Sequence, residues 1–339
     1  MKTTLLALGM VMMNLTFGQS DAFQYMSKID ENYTEISSRM WDYTSTVAHS
    51  RSGKKIDEKR QELISSVRLA KINISRMGDF EGCTAYRDSV LSYLKLQEIV
   101  LTENYEKILD MEEIAEQSYD LMEAYLLAQS EAGKMMDAAA DMLREEQQKF
   151  GDAHDIKILD DESKIGKKLQ KAGEVYDYYN PIYLIFFKSY KQEAYMNVAI
   201  AENDINGIEQ ARKSLITTSE EGLTLIEEIK DFNGDLSLKT ACVDILKFYK
   251  NEGETDAKVI SDFYLKKETF EKIQAAFDNI KKKDRTQDDV NKVNKATEEY
   301  NKAVNEYNEV VKVTNKERSK NIDAWNNAVT KFLKTHISK

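Results

Sequence analysis

The densest group of side chains able to recognise a ligand lies between residues 175 and 195. Tyr176, Tyr178, Tyr179, Tyr183, Tyr190 and Tyr195 share this stretch with Phe186, Phe187 and Pro181, the only proline of the chain. Tyrosine offers an apolar ring with a polar tip, so such a run suits an aromatic-lined groove for a small ligand or peptide. Tyr176, Tyr179, Tyr183 and Tyr190, with Tyr119 from the preceding segment, are the candidate binding residues. The same run is apolar on every side from Ile182 to Phe187. A helix apolar all round belongs inside a fold, so a central helix gripped by its neighbours fits these residues better than an open groove.

A second candidate is acidic. Glu112, Glu116, Asp120 and Glu123 share one helical face, beside Asp110 and Glu113. Ile108, Met111, Ala115, Met122 and Tyr125 form the opposite, inward face, so the acids read as a solvated stripe. A carboxylate dimetal site needs Glu-x-x-His pairs, and His49, His154 and His336 have no Glu three residues before them. Zinc is excluded by the scarcity of His and Cys. There is no Gly-x-Ser-x-Gly and no phosphate-cradling glycine loop. The expectation is therefore a non-enzyme without metal or cofactor. A carboxylate/tyrosine site at Glu116 and Tyr119 would need these groups to converge with the 175–195 helix, and it ranks last. The two cysteines, Cys83 and Cys242, can form a disulfide only if the helices that carry them lie together. The alternative is that each is a free thiol, Cys being often a small buried apolar residue.

The elements that position these residues are helical nearly throughout. One proline and 13 glycines in 339 residues leave few breakers, and the apolar pattern has a 3.6-residue period. Residues 43–95 match 195–247 at a constant offset of 152, with 11 identities. They include Tyr43/Tyr195, Arg60/Arg212, Leu63/Leu215, Ile64/Ile216 and the loops Asp79-Phe80-x-Gly82 and Asp231-Phe232-x-Gly234. Helical periodicity does not force loop residues to agree, so the pattern predicts an internal duplication. The predicted helices run over about 22–50, 54–77, 84–150 with a break near Thr102, 162–203, 207–230, 236–251, 256–283 and 287–336. Gly151 to Asp161 is the expected linker, Asn206-x-x-Glu209 reads as a capping box, and Gly253 with Thr255 as a separator. Val290, Val293, Thr297, Tyr300, Val304, Tyr307, Val311 and Thr314 alternate spacings of three and four. That is a heptad seam, expected to dock lengthwise and antiparallel on the preceding helix. The fold class is all-α: two tandem related bundles, 19–152 and 153–283, closed by a basic C-terminal helix, 284–339.

Charge and the N-terminus bound the setting. The net charge of −11 argues against nucleic acid as a general partner. Residues 281–339 hold 14 Lys+Arg against 9 Asp+Glu, and residues 1–280 hold 34 against 50. A basic end beside an acidic body is an intramolecular match or a patch for an anionic surface. Lys2, the apolar run Leu5 to Phe17 and Thr16-x-Gly18 read as a signal peptide over residues 1–18, cleaved between Gly18 and Gln19. The apolar run is shorter than the roughly 20 residues that span a bilayer, and no transmembrane segment is expected in the mature chain.

Three segments carry a resemblance. Trp41-x-Tyr43-Thr44-Ser45-x-Val47-Ala48-His49, Asp110-Met111-Glu112-Glu113-Ile114-Ala115-Glu116-Gln117-Ser118-Tyr119 and the run from Tyr183 to Tyr195 resemble an uncharacterised family of bacterial surface proteins found in spirochaetes and Bacteroidota. The resemblance covers roughly residues 20–283 and implies an exported, helical envelope protein, with no activity, cofactor or site residue carried over. Many such relatives are lipoproteins, whereas no cysteine stands directly after the apolar run here. The functional expectation is a monomeric helical interaction module of the periplasm or cell surface that binds an envelope protein or surface polymer. The alternative is a small-ligand binder or sensor using the Tyr-rich groove.

Overall fold

A computed structural model describes residues 20–50, 52–104, 118–158 and 163–338. The described chain is all-α, in the order α1 (Asp21–His49), α2 (Gly53–Ser75), α3 (Ala85–Ile99), a π-turn π1 (Val100–Asn104), α4 (Tyr119–Ala153), α5 (Lys164–Glu202), α6 (Ile205–Glu228), α7 (Ser237–Asn251), π2 (Glu252–Asp256), α8 (Ala257–Asn279), a short 3₁₀ turn (Lys282–Asp284) and α9 (Gln287–His336). It divides into two compact units, Met1–Asn180 with Thr330–Lys339, and Pro181–Val329. The boundaries of these units fall inside α5 and α9. Pro181 lies within α5, which runs through it although its ring nitrogen has no proton for a helical hydrogen bond.

The signal region lies outside the described residues, as do Asp110, Glu112, Glu113 and Glu116. Of the expected linker, Gly151 to Ala153 still belong to α4, and residues 159–162 lie outside the description.

The first unit is organised by α1. Ser20 caps it, its Oγ accepting from Phe23 N at 3.2 Å, which satisfies one of the orphan donors of a helix start. Met26, Ile29, Tyr33, Ile36, Met40 and Tyr43 then recur on one face and are all buried against Leu63, Ile64, Val67 and Ile74 of α2, Tyr86, Val90 and Leu94 of α3, and Met136, Leu143 and Phe150 of α4. Each such aliphatic side chain contributes about 1.5–3 kcal/mol when fully buried. In the second unit the buried set is Ile182 and Phe187 of α5, Ile208, Leu215 and Ile226 of α6, and Leu238, Cys242, Ile245 and Leu246 of α7. Close approach there requires Gly222, where a Cβ would stand 3.1 Å from both Ile185 and Leu246.

The same devices stand at the same spacing in both units. α2 and α6 start at 53 and 205, α3 and α7 at 85 and 237, and the π-turns at 100 and 252, each pair 152 apart. Phe80 and Cys83 exchange backbone hydrogen bonds at 3.0 and 2.9 Å, and Phe232 and Asp235 do so at 3.2 and 2.9 Å. Between them Glu81 and Gly82 have φ of 53° and 83°, and Asn233 and Gly234 have 53° and 87°. Positive φ at both central positions is a type I′ turn, which explains the glycine of each Asp-Phe-x-Gly loop. Arg60, paired with Asp57 at 2.8 Å, donates to the Leu101 carbonyl at 3.5 Å. Arg212, paired with Glu209 at 2.7 Å, donates to the Gly253 carbonyl at 3.0 Å.

Two expectations are corrected, and the cysteine alternative is decided. Glu209 does not close a capping box with Asn206: α6 starts at Ile205 after Asp204, and Arg212 takes the carboxylate and holds it down to about 2. Gly253 and Thr255 do not separate two helices, because the chain passes through π2 without leaving helical geometry. Cys83 and Cys242 are both free thiols. Cys83 sits exposed in its turn, whereas Cys242 is buried as a small core residue with Sγ 3.9 Å from the Ile182 carbonyl. The expected break near Thr102 coincides with π1.

α9 runs antiparallel to α8. Phe270 stacks on Tyr300 at 4.9 Å, and Phe263 on Tyr307 at 4.3 Å. Thr314 donates to Asp256 at 2.8 Å, and Arg318 meets Glu252. One heptad down α8 is matched by one heptad up α9, as a lengthwise seam requires. Thr286 and Asp289 cap α9 reciprocally, with Thr286 N to Asp289 Oδ2 at 2.9 Å and Asp289 N to Thr286 Oγ1 at 3.2 Å.

The paired turns make a direct test. Gly82→Ala and Gly234→Ala should each lower stability by about 1–2 kcal/mol in urea unfolding, because alanine resists positive φ although neither site is crowded. Unchanged midpoints would show that the turns tolerate a Cβ.

Candidate functional site

Each unit holds its own share of the tyrosines singled out from the sequence. In the first, Tyr119 opens α4 and its hydroxyl donates to Glu123 Oε1 at 3.1 Å, while Tyr176 meets Tyr179 edge-on at 6.3 Å. In the second, Tyr183 stacks on Phe187 at 5.5 Å and Tyr190 on Phe186 at 5.7 Å. Phe186 stacks in turn on Trp325 of α9 at 4.5 Å. All five tyrosines are half-buried, so in the second unit the aromatic surface is spent largely on ring-to-ring packing. Burial pushes Tyr183 up to about 12. Burial, then the charge of Glu123, does the same to Tyr119. Both are neutral phenols at physiological pH. A cleft of about 330 Å³ is lined by Asp88, Ser89, Ser92, Met142, Glu145 and Glu146, none of them a tyrosine.

A cluster not expected from the sequence lies in the second unit. Glu193 of α5 is 3% exposed and Glu252 of π2 is 1% exposed. Both pair with the guanidinium of Arg318 from α9. Asn197 donates to Glu193 Oε1 at 2.8 Å. Glu252 Oε2 and the hydroxyl of the fully buried Tyr249 have no hydrogen-bond partner. Burial raises Glu252 to about 7, with Arg318 pulling the other way and Glu193 adding to the rise. Burial raises Glu193 too, again against Arg318. Two buried carboxylates thus share one cation. From the sequence, Glu193 and Glu252 are ordinary acids of an acidic chain and Arg318 is one of many cations. The only trace was position: Arg318 continues the seam from Thr314 at a spacing of four.

The outward side of α9 carries a third feature. Lys312, Lys316 and Lys320 recur every four residues and are exposed, on the face opposite the seam. Lys320 lies 3.4 Å from Glu317; among the described residues Lys312 and Lys316 make no ion pair. Among the described residues, too, no helix is long and apolar enough to cross a membrane, and no three His, Cys, Asp or Glu side chains are grouped to hold a metal.

No family model, no curated protein and no solved structure matches the chain.

Removing the shared cation isolates its contribution. Arg318→Met should destabilise the second unit by about 3–5 kcal/mol near neutral pH, the range seen when one partner of a buried ion pair is lost. Chemical unfolding followed by tryptophan fluorescence checks this, since Trp325 lies one heptad away on the same helix. A loss under 1 kcal/mol would mean that the cluster is solvated.

Proposed function

We propose that this chain is a non-enzymatic, exported envelope protein that works as a helical interaction module, with the outward face of α9 as its contact for an anionic envelope protein or surface polymer. The observation that carries this reading is the row Lys312, Lys316 and Lys320, exposed opposite a seam already used within the chain. Lysines at four-residue spacing present a line of positive charge, and such a line attracts an anionic surface through the field it creates. The net excess of acids elsewhere keeps the rest of the surface unattractive to the same partner. Export rests on the N-terminal residues and on the resemblance to helical bacterial surface proteins. In the same reading the two units descend from one duplicated unit, supported by the paired turns, the paired π-turns and the Arg60/Arg212 contacts at one offset.

Deleting residues 286–339 would not test the contact, because it also strips Trp325 and Arg318 from the packed interior. Charge reversal on the outward face leaves the seam intact. Lys312→Glu, Lys316→Glu and Lys320→Glu together should reduce capture of an envelope partner by the 19–339 chain at least about tenfold, since each reversed charge acts on an exposed, salt-screened contact. The circular dichroism spectrum should stay unchanged. Capture equal to that of the unaltered chain would eliminate α9 as the contact.

A further inference from the structure

The Glu193–Glu252–Arg318 cluster is not needed to build the turn that contains it. In the first unit the residue at the same place, Val100, opens π1 as a buried apolar side chain, and π1 forms all the same. Trp41 stands where Glu193 does, and Gln97 where Tyr249 does. The second unit therefore has carboxylates at two positions where the first has Trp41 and Val100. Their common partner is the guanidinium of a helix that arrives from more than 60 residues further along the chain.

We propose that this cluster is a proton-controlled latch: α9 is held most firmly to the second unit when Glu252 carries a proton, and the hold loosens when that proton leaves.

The stoichiometry is the first ground. One guanidinium neutralises one carboxylate, and a second buried negative charge has no counter-ion. A proton on Glu252 makes the cluster neutral and lets its unpartnered Oε2 act as a donor instead of a bare acceptor. The neighbouring groups do not supply the missing positive charge. Asp256 of π2 adds a further negative charge facing Glu252, while accepting from Thr314. Tyr190 and Tyr249 contribute hydroxyls only, and the phenol of Tyr249 is itself raised by burial and by both carboxylates. Lys191 is not among the charges that act on Glu252 or Glu193, and Arg212 is committed to Glu209 and the Gly253 carbonyl.

The direction follows from the raised carboxyl. A group whose folded-state value lies above its unfolded value contributes stability that is complete below the ordinary range near 4.5 and is lost as pH rises through about 7. Docking of α9 should therefore weaken between pH 5.5 and 8.5. Thr314 and the stacked pairs Phe263/Tyr307 and Phe270/Tyr300 add hydrogen-bond and ring contacts that hold α9 beside the cluster.

Hydrogen exchange by mass spectrometry on the 19–339 chain tests this, in the regime where exchange reports the opening equilibrium. Rates at pH 5.5 and 8.5 are corrected for intrinsic chemistry, with peptides over 307–329 compared to a reference over 208–226. The expected result is a loss of protection over 307–329, relative to the reference, of about tenfold or more at pH 8.5. The Glu252→Gln variant, isosteric and uncharged, should show no such loss. A constant ratio in the unaltered chain, or the same loss in Glu252→Gln, would overturn the latch. Should Glu252→Gln fail to fold, carbon-detected NMR of the carboxyl groups in the unaltered chain decides: a Glu252 midpoint near 7 supports the latch, and one in the ordinary range between 4 and 5 overturns it.

Discussion

In each unit an arginine of the second helix donates to a backbone carbonyl of the π-turn, and this contact ties helices about 40 residues apart. A widened turn disturbs the regular i to i−4 ladder, and an orphaned carbonyl inside a bundle is costly. Arg60 and Arg212 supply the donor from the second helix of each unit. To do so each must lie beneath a turn about 40 residues further along, which fixes the rotation of α2 against α3 and of α6 against α7. The carboxylates Asp57 and Glu209, one helical turn before each arginine, compensate the charge carried inward. Once these helices are set, the type I′ turns between them have little freedom, and a residue with positive φ becomes obligatory at Gly82 and Gly234.

The second unit adds charge to this plan. At the place of Val100 it has Glu252, and α9 brings Arg318 to meet it. α9 is thereby tied to the unit by two different kinds of interaction. The stacking of Phe263 and Phe270 against Tyr307 and Tyr300 is a ring-to-ring contact. The Arg318 cluster responds to protons because its charges are out of water. A seam of half-buried valines and of threonines is weak by itself, so the ionic end counts in deciding how firmly the helix is held. The outward lysines of α9 are then displayed on a helix whose attachment depends on the interior.

Much of the architecture was legible because it rests on local rules. The stripe from Met26 to Tyr43 announced α1, the Thr286/Asp289 pair announced the start of α9, and the valine and tyrosine spacing from 290 to 314 announced its seam. The paired Asp-Phe-x-Gly loops were visible as matching residues. Glycine at the same place in both loops is the mark of positive φ and of their turn type. Errors arose where local signals compete. Asn206 and Glu209 have the spacing of a capping box, but Arg212 outcompetes the backbone for the carboxylate. Gly253 and Thr255 look like breakers, but a helix that widens into a π-turn can keep a glycine inside it. Gly253 lies so close to α6 that a Cβ there would stand 2.7 Å from Ile216.

The amino-acid sequence by itself determined the all-α class, the starts of most helices and the seam of α9, since periodicity, caps and breakers act within a few residues of one another. It could not determine which of its many acids and bases would lose their water. Glu193, Glu252 and Arg318 are separated by tens of residues, and no spacing rule links them. Only packing brings α5, π2 and α9 together, and only burial turns three ordinary charged side chains into a coupled group. The same holds for the tyrosines: their composition suggested a groove, but in the second unit the rings of neighbouring residues and of Trp325 take up much of the surface that a ligand would have used.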